Sequence, residues 1–187
     1  VGVASVAHMP LPLLPLQILF LNLVTDVFPA LALGMGEGDP HVMRRPPRDP
    51  REPILTQGHW RAIAGYGALI TVSVLAAFGI AMRALHMDAR GAVTVSFLVL
   101  AFAQLWHVFN LRSRGTSLLR NDVVRNPYVW GAVALCVVLL LTAVYLPGLS
   151  DVLKLTHPGA RGWLVVIGLS LVPLIAGQIL KSLGRGE

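Results

Sequence analysis

Three oxygen-bearing side chains stand close together in the apolar stretch from Gln17 to Gly34. They are Asn22, Thr25 and Asp26. In an α-helix, residues at positions i, i+3 and i+4 project from one face. Amide, hydroxyl and carboxylate oxygens are the ligands that hard cations such as calcium prefer. The spacing therefore predicts a cation site set into an apolar helix.

Asp26 is the most informative of the three residues. It is the only one of the nine Asp and Glu residues that falls inside a predicted membrane span. A charged side chain at the centre of a bilayer costs about 2.5–3.5 kcal/mol on insertion scales, so such residues usually have a function. Pro29 has no N–H for the carbonyl of Thr25. A free main-chain oxygen is therefore expected beside the three side chains.

A second polar stripe lies at Gln104, His107 and Asn110, three residues apart. Gln104 is predicted to turn its amide oxygen toward the same cavity, whereas a lone histidine inside a membrane is typically a packing residue. Calcium takes six to eight oxygen ligands. Asn22, Thr25, Asp26 and Gln104 offer about four or five oxygens between them. The remaining ligands must come from water, a partner or helices outside this chain.

The composition is typical of an integral membrane protein, with a mean hydropathy of +0.70 and only 13% charged residues. The sequence pI is about 10.4. However, the basic residues cluster in short loops between apolar runs, which follows the positive-inside rule and argues against nucleic-acid binding. The single cysteine excludes a disulfide framework and a cysteine metal pair.

The apolar runs predict an all-α membrane fold with five full transmembrane helices and a partial N-terminal one. Each run has about 20 residues, which is enough to cross about 30 Å of hydrocarbon. Residues 1–10 are predicted to be the end of a preceding helix and an external loop, and residues 11–187 to form one membrane domain. The five spans are predicted at about 13–33, 61–82, 91–111, 127–146 and 161–181.

The loop at residues 35–60 is basic and rich in proline, which disfavours regular helix and favours extended backbone. Two interpretations remain open for it: a plain positive-inside loop, or a docking surface for another domain. Most of the Lys and Arg residues lie in this loop, in residues 112–126 and in the C-terminal tail. These three segments are therefore predicted to be cytoplasmic, and the first full span to run from outside to inside.

Three short motifs resemble the sixth transmembrane helix and the following cytoplasmic loop of cation-transporting P-type ATPases. They are Leu21-Asn-Leu-Val-Thr-Asp26, Pro29-Ala-Leu-Ala-Leu-Gly34 and Met43-Arg-Arg-Pro-Pro-Arg48. The sarcoplasmic-reticulum-type calcium pumps and their bacterial relatives are the most similar branch. Residues 1–10 resemble the end of the fifth helix, and the five spans resemble helices six to ten.

The resemblance implies that Asn22, Thr25 and Asp26 are ligands of the transported cation. At Gln104, two-site calcium pumps carry a glutamate. The loss of this carboxylate favours transport of one ion, as in plasma-membrane-type calcium pumps, and leaves manganese or a monovalent cation open beside calcium. The resemblance also implies that the proline-rich loop couples the helices to the phosphorylation domain, through a basic motif that consists of Arg44, Arg45, Pro46, Pro47 and Arg48.

The sequence contains neither an Asp-Lys-Thr-Gly phosphorylation motif nor a Thr-Gly-Glu dephosphorylation motif. No catalytic residue or bound cofactor is therefore assigned to it, and ATP and magnesium are expected only in domains outside the chain. We expect a fragment of a pump in a bacterial plasma membrane. Its partners would be the lipid bilayer and the missing N-terminal helices and cytoplasmic domains of the same pump. Two alternatives remain: a small autonomous channel or secondary transporter that uses Asp26 as a relay, and a bracing domain without ligands.

Overall fold

The computed structural model describes residues 11–36, 55–110 and 122–183. These residues form helices and connecting turns, and no strand occurs among them. The predicted all-α membrane fold is confirmed, because five helices within these described ranges are long and apolar enough to cross a bilayer. They span Pro15–Gly34, Gln57–Arg83, Ala89–Asn110, Pro127–Tyr145 and Gly159–Ile179.

The first of these spans is not a continuous α-helix, because a π-helical segment at Asn22–Val27 interrupts it. A 3₁₀ turn at Val108–Asn110 ends the third span. In chain order the α-helices are α1 (Pro15–Leu21), α2 (Phe28–Gly34), α3 (Gln57–Arg83), α4 (Ala89–His107), α5 (Asp122–Arg125), α6 (Pro127–Tyr145), α7 (Leu149–Val152) and α8 (Gly159–Leu183).

Helix α3 begins at Gln57, whereas the hydropathy of the sequence placed the start of this span near residue 61. The N-cap residue is Thr56, whose Oγ1 accepts a hydrogen bond from the main-chain N–H of His59 over 3.4 Å. A threonine cap satisfies one of the free N–H groups of the first turn. The helix therefore extends beyond its apolar part.

Helix α4 lies at the centre of the structure. In the most apolar 18 residues of its span 72% of the residues are buried, against 22–33% in the other four spans. It packs against α3 and α8 and also contacts the π-helical segment of the first span. Small and β-branched residues such as Ala92, Val95 and Ala103 are fully buried along it. The small residues among them let helices approach closely in a membrane, and this central position holds Gln104 against the first span.

Helix α6 packs against α2, and Asn126 fixes the two helices together. Its side-chain Nδ2 donates to the main-chain oxygen of Ala32 over 2.9 Å. Its Oδ1 accepts from the N–H of Tyr128 over 2.9 Å, which makes Asn126 the N-cap of α6. One buried side chain therefore joins the start of α6 to the end of the first span.

Replacing Gly177 in α8 with alanine is expected to destabilise the fold. The new Cβ would lie 2.5 Å from the Tyr66 hydroxyl and 2.7 Å from Asn110 Nδ2, so the tightly packed contact with α3 and α4 would have to open. Overpacking of this kind costs about 1–3 kcal/mol. Thermal unfolding of the detergent-purified protein measures the effect.

Gly168→Ala in the same helix is the matched control, because no atom lies within 4 Å of a Cβ built there. Its unfolding temperature should stay close to that of the wild type. Equal unfolding temperatures for the two variants would contradict this description of the α3–α4–α8 contact.

Candidate cation site

The backbone of the first span changes register at the residues that the sequence marked as candidate ligands. Asn22–Val27 form a π-helix, in which each main-chain oxygen bonds the N–H five residues ahead rather than four. Pro29, which has no N–H, stands five residues after Val24. The carbonyl oxygen of Val24 instead accepts a hydrogen bond from Cys136 Sγ of α6 over 3.0 Å.

The change of register separates the three side chains that α-helical spacing placed on one face. Asn22 and Asp26 lie on the exposed side of the span, whereas Thr25 is turned inward and only 5% exposed. A π-helical turn contains more residues than an α-helical turn, so each residue rotates less about the axis. Thr25 therefore turns away from Asn22, while the Asn22–Asp26 pair stays together.

Thr25 connects the first span to α4. Its hydroxyl Oγ1 lies 2.9 Å from Gln104 Oε1 and 2.9 Å from the main-chain oxygen of Leu21. The nearer carboxylate oxygen of Asp26 lies 3.5 Å from the same hydroxyl. The structure therefore places Thr25 beside both Asp26 and Gln104, whereas Asn22 lies one turn before Asp26.

The Thr25 hydroxyl lies within hydrogen-bond distance of two acceptors, the Leu21 and Gln104 oxygens, but can donate to only one of them. A hydroxyl carries one hydrogen, whereas a main-chain oxygen and an amide oxygen can only accept. If the Gln104 amide rotated so that its nitrogen and oxygen exchanged places, Nε2 would donate to Thr25 Oγ1. The Thr25 hydroxyl would then donate to the main-chain oxygen of Leu21. That arrangement satisfies both contacts and releases Gln104 Oε1 to bind a cation.

The chemistry of this group suits a hard cation. It combines one carboxylate with amide and hydroxyl oxygens, the ligand types that calcium takes. In the residues that the structure describes, no three His, Cys, Asp or Glu side chains come together. Asp26 is the one acidic side chain among the four candidate ligands, and Asn22, Thr25 and Gln104 carry uncharged oxygens.

His107 and Asn110 do not join this group. The His107 ring contacts Tyr66 of α3, with ring centroids 4.6 Å apart. Asn110 Nδ2 donates to the main-chain oxygen of Pro173, and Gln178 Nε2 donates to Asn110 Oδ1 over 2.8 Å. Since each step of three residues rotates an α-helical side chain by about 60° about the axis, the stripe turns from the first span toward α3 and α8.

Two residues that contact the first span, one in α6 and one at its N-cap, were not predicted from the sequence. Pro29 predicted that the Thr25 carbonyl would lack its helical partner, but in the π register the carbonyl five residues before Pro29 is that of Val24. No spacing pattern identified Cys136 as its donor. Asn126 follows an arginine-rich loop and resembles an ordinary N-cap residue in the sequence. The basic motif predicted to couple the helices, Arg44–Arg48, lies outside the described residues.

A family model and individual relatives both relate this chain to cation-transporting ATPases. Residues 10–183 match the family described as "Cation transporting ATPase, C-terminus". The chain is 38% identical over 179 residues to a calcium-transporting ATPase of Bacillus subtilis, covering 95% of this chain and 20% of the relative. It is 36% identical over 171 residues to one of Listeria monocytogenes, covering 91% and 19%. The chain thus spans about a fifth of the length of these curated relatives.

Proposed function

Because the chain belongs to the family of cation-transporting P-type ATPase C-terminal membrane domains, we propose that it supplies part of the transported-cation site of an ATP-driven pump. The candidate ligands are Asn22, Thr25, Asp26 and Gln104. The energy of ATP hydrolysis would be supplied by domains that these 187 residues do not include.

One observation carries the proposal: the first span loses its α-helical register at the segment that carries its carboxylate. The π-helical residues Asn22–Val27 contain three of the four candidate ligands, and Thr25 lies 2.9 Å from the fourth, Gln104. π-Helical segments occur frequently at functional sites. A purely bracing helix would have no use for a carboxylate and a broken register at the same level of the membrane.

Calcium is the cation that this site supports best. The relatives are named calcium-transporting ATPases, and the candidate ligands are all oxygens. With a single carboxylate among them, we propose that the site holds one calcium ion. Asn22 and Asp26 are exposed in this chain, so further ligands can approach from that side. Manganese is the divalent competitor to be measured against calcium.

The orientation follows from the distribution of basic residues. The loop at residues 35–60 and the C-terminus would face the cytoplasm of a bacterial cell, and the first span would run from outside to inside. In this arrangement the basic motif Arg44–Arg48 would contact the phosphorylation domain. Movement of that domain would then be transmitted to Asp26 through α2, which lies between the loop and Asp26.

The decisive experiment measures ATP hydrolysis by the complete, detergent-purified pump with calcium, manganese, sodium or potassium added singly. We expect calcium to give the strongest stimulation at the lowest concentration. The 187-residue chain alone, in liposomes loaded with a calcium dye, should give no calcium flux. Flux from the chain alone would support the autonomous channel, and hydrolysis that no cation stimulates would contradict the pump.

The contact between Thr25 and Gln104 gives a more specific expectation. Thr25→Val keeps the shape of the side chain but removes the hydroxyl, so it should weaken calcium binding about fivefold, the equivalent of one hydrogen bond. Thr25→Ser keeps the hydroxyl and should bind nearly as the wild type does. Equilibrium binding of radioactive calcium measures both variants, and equal affinities would argue against a role for the Thr25 oxygen.

A further inference from the structure

We propose that Cys136 of α6 is a positioning residue for the cation site, whose thiol holds the π-helical segment in its register. The proposal rests on the function proposed above. It assigns to the single cysteine of the chain a role that no candidate ligand performs. The thiol itself does not contact the cation; it acts through the main chain of Val24.

The hydrogen bond between the thiol and Val24 is isolated from water. Cys136 Sγ lies 3.0 Å from the main-chain oxygen of Val24, which is short for a sulfur donor. The side chains of Cys136 and Val24 are 0% and 1% exposed. A buried carbonyl without a donor costs free energy. Because Pro29 removes the N–H that the π register would offer, the thiol is the donor that the fold supplies in its place.

The position of Val24 in the chain makes this bond relevant to the site. Val24 immediately precedes Thr25, and Asp26 follows. Rotation of the Val24 peptide would therefore move the hydroxyl that lies 2.9 Å from Gln104 and the carboxylate beside it. Without the thiol, the segment would be free to return toward α-helical register and to turn Thr25 away from α4.

A second hydrogen bond from α6 acts in the same way on the other side of Pro29. The N–H of Gly36 donates to Leu33 over 3.1 Å rather than to Ala32, four residues before it. Asn126 Nδ2 supplies a donor to the Ala32 oxygen. Helix α6 and its N-cap residue thus donate to two carbonyls of the first span, one before Pro29 and one after it, and fix the break between them.

The test compares Cys136→Ala, which removes the donor, with Cys136→Ser, which keeps one in the same place. Val133→Ala is the packing control, because Val133 is buried in the same helix and its side chain has no donor. Each complete pump is measured for calcium affinity, maximal ATPase rate and unfolding temperature. Cys136→Ala should weaken calcium binding about fivefold, as the loss of one hydrogen bond would, with the maximal rate at saturating calcium preserved.

Cys136→Ser should restore most of the calcium affinity. Val133→Ala should lower the unfolding temperature but leave calcium affinity unchanged. The proposal is overturned if Cys136→Ala changes only the unfolding temperature, or if Cys136→Ser binds as weakly as Cys136→Ala. Asp26→Asn, measured in parallel, distinguishes the positioning role of Cys136 from the ligand role of Asp26. A strong loss in Asp26→Asn beside an unchanged Cys136→Ala overturns the positioning role alone, whereas a wild type that binds no calcium overturns both proposals.

Discussion

Asp26→Asn is expected to lower the calcium affinity of the complete pump by at least about a hundredfold, because calcium affinity depends steeply on the charge of the ligands. Asparagine has nearly the shape of aspartate, and the Asp26 side chain is exposed in this chain. The packing of the first span should therefore survive the change. The variant removes the negative charge that lies 3.5 Å from the Thr25 hydroxyl, and calcium-stimulated ATP hydrolysis should disappear with it.

Asp151→Asn is the matched control for this variant. Asp151 belongs to the short helix α7 outside the five spans, and its side chain is exposed. The same chemical change there should leave calcium affinity and ATP hydrolysis close to wild type. If Asp26→Asn transported calcium as well as Asp151→Asn does, the bracing interpretation would replace the ligand interpretation.

Gln104→Glu is expected to change the number or the kind of ions that the pump binds. The substitution places a second carboxylate 2.9 Å from the Thr25 hydroxyl, close to Asp26. Two carboxylates can compensate more cation charge than one. Calcium bound per pump, measured with radioactive calcium and quantified protein, should rise above the value of about one that a single carboxylate site supports. Selectivity for calcium over monovalent cations should also increase.

Gln17→Glu is the control for this change. Gln17 lies in the first span itself, is fully buried, and accepts a hydrogen bond from the N–H of Leu14 at the start of that helix. Its Nε2 donates to the main-chain oxygen of Leu153 over 2.9 Å, so the substitution should destabilise the protein without altering the number of bound ions. If Gln104→Glu alters neither the bound calcium nor the selectivity, Gln104 is not a determinant of ion number.

The sequence was sufficient to predict the membrane fold, because apolar runs of about 20 residues have few alternatives to a spanning helix. It also predicted Asn22, Thr25, Asp26 and Gln104 as ligands of one site. The structure places Thr25 beside Asp26 and Gln104, and the ligand roles stay predictions. Thr25 and Asp26 share one motif, and Gln104 is a polar residue at depth in another span. Polar groups in a membrane are rare, so their positions carry information about contacts.

The local geometry of the site could not be predicted in the same way. Spacing at α-helical period placed Asn22, Thr25 and Asp26 on one face, but the π-helical segment turns Thr25 inward. Within this segment the Val24 carbonyl accepts a hydrogen bond from a distant helix, through Cys136 Sγ. A contact between residues more than 100 positions apart cannot be predicted from local periodicity. An apolar run with one cysteine can pack against many different neighbours.

The most direct test of the cation site is to locate the ion itself. Crystals of the complete pump grown in calcium, and a second set grown in manganese, would give anomalous difference maps that identify the bound metal. We predict one peak in the membrane, with a carboxylate oxygen of Asp26 at about 2.3–2.6 Å from calcium and with oxygens of Asn22, Thr25 or Gln104 completing part of its shell. A metal bound only elsewhere in the membrane, with no contact to Asp26, would contradict the assignment of Asp26 as a ligand.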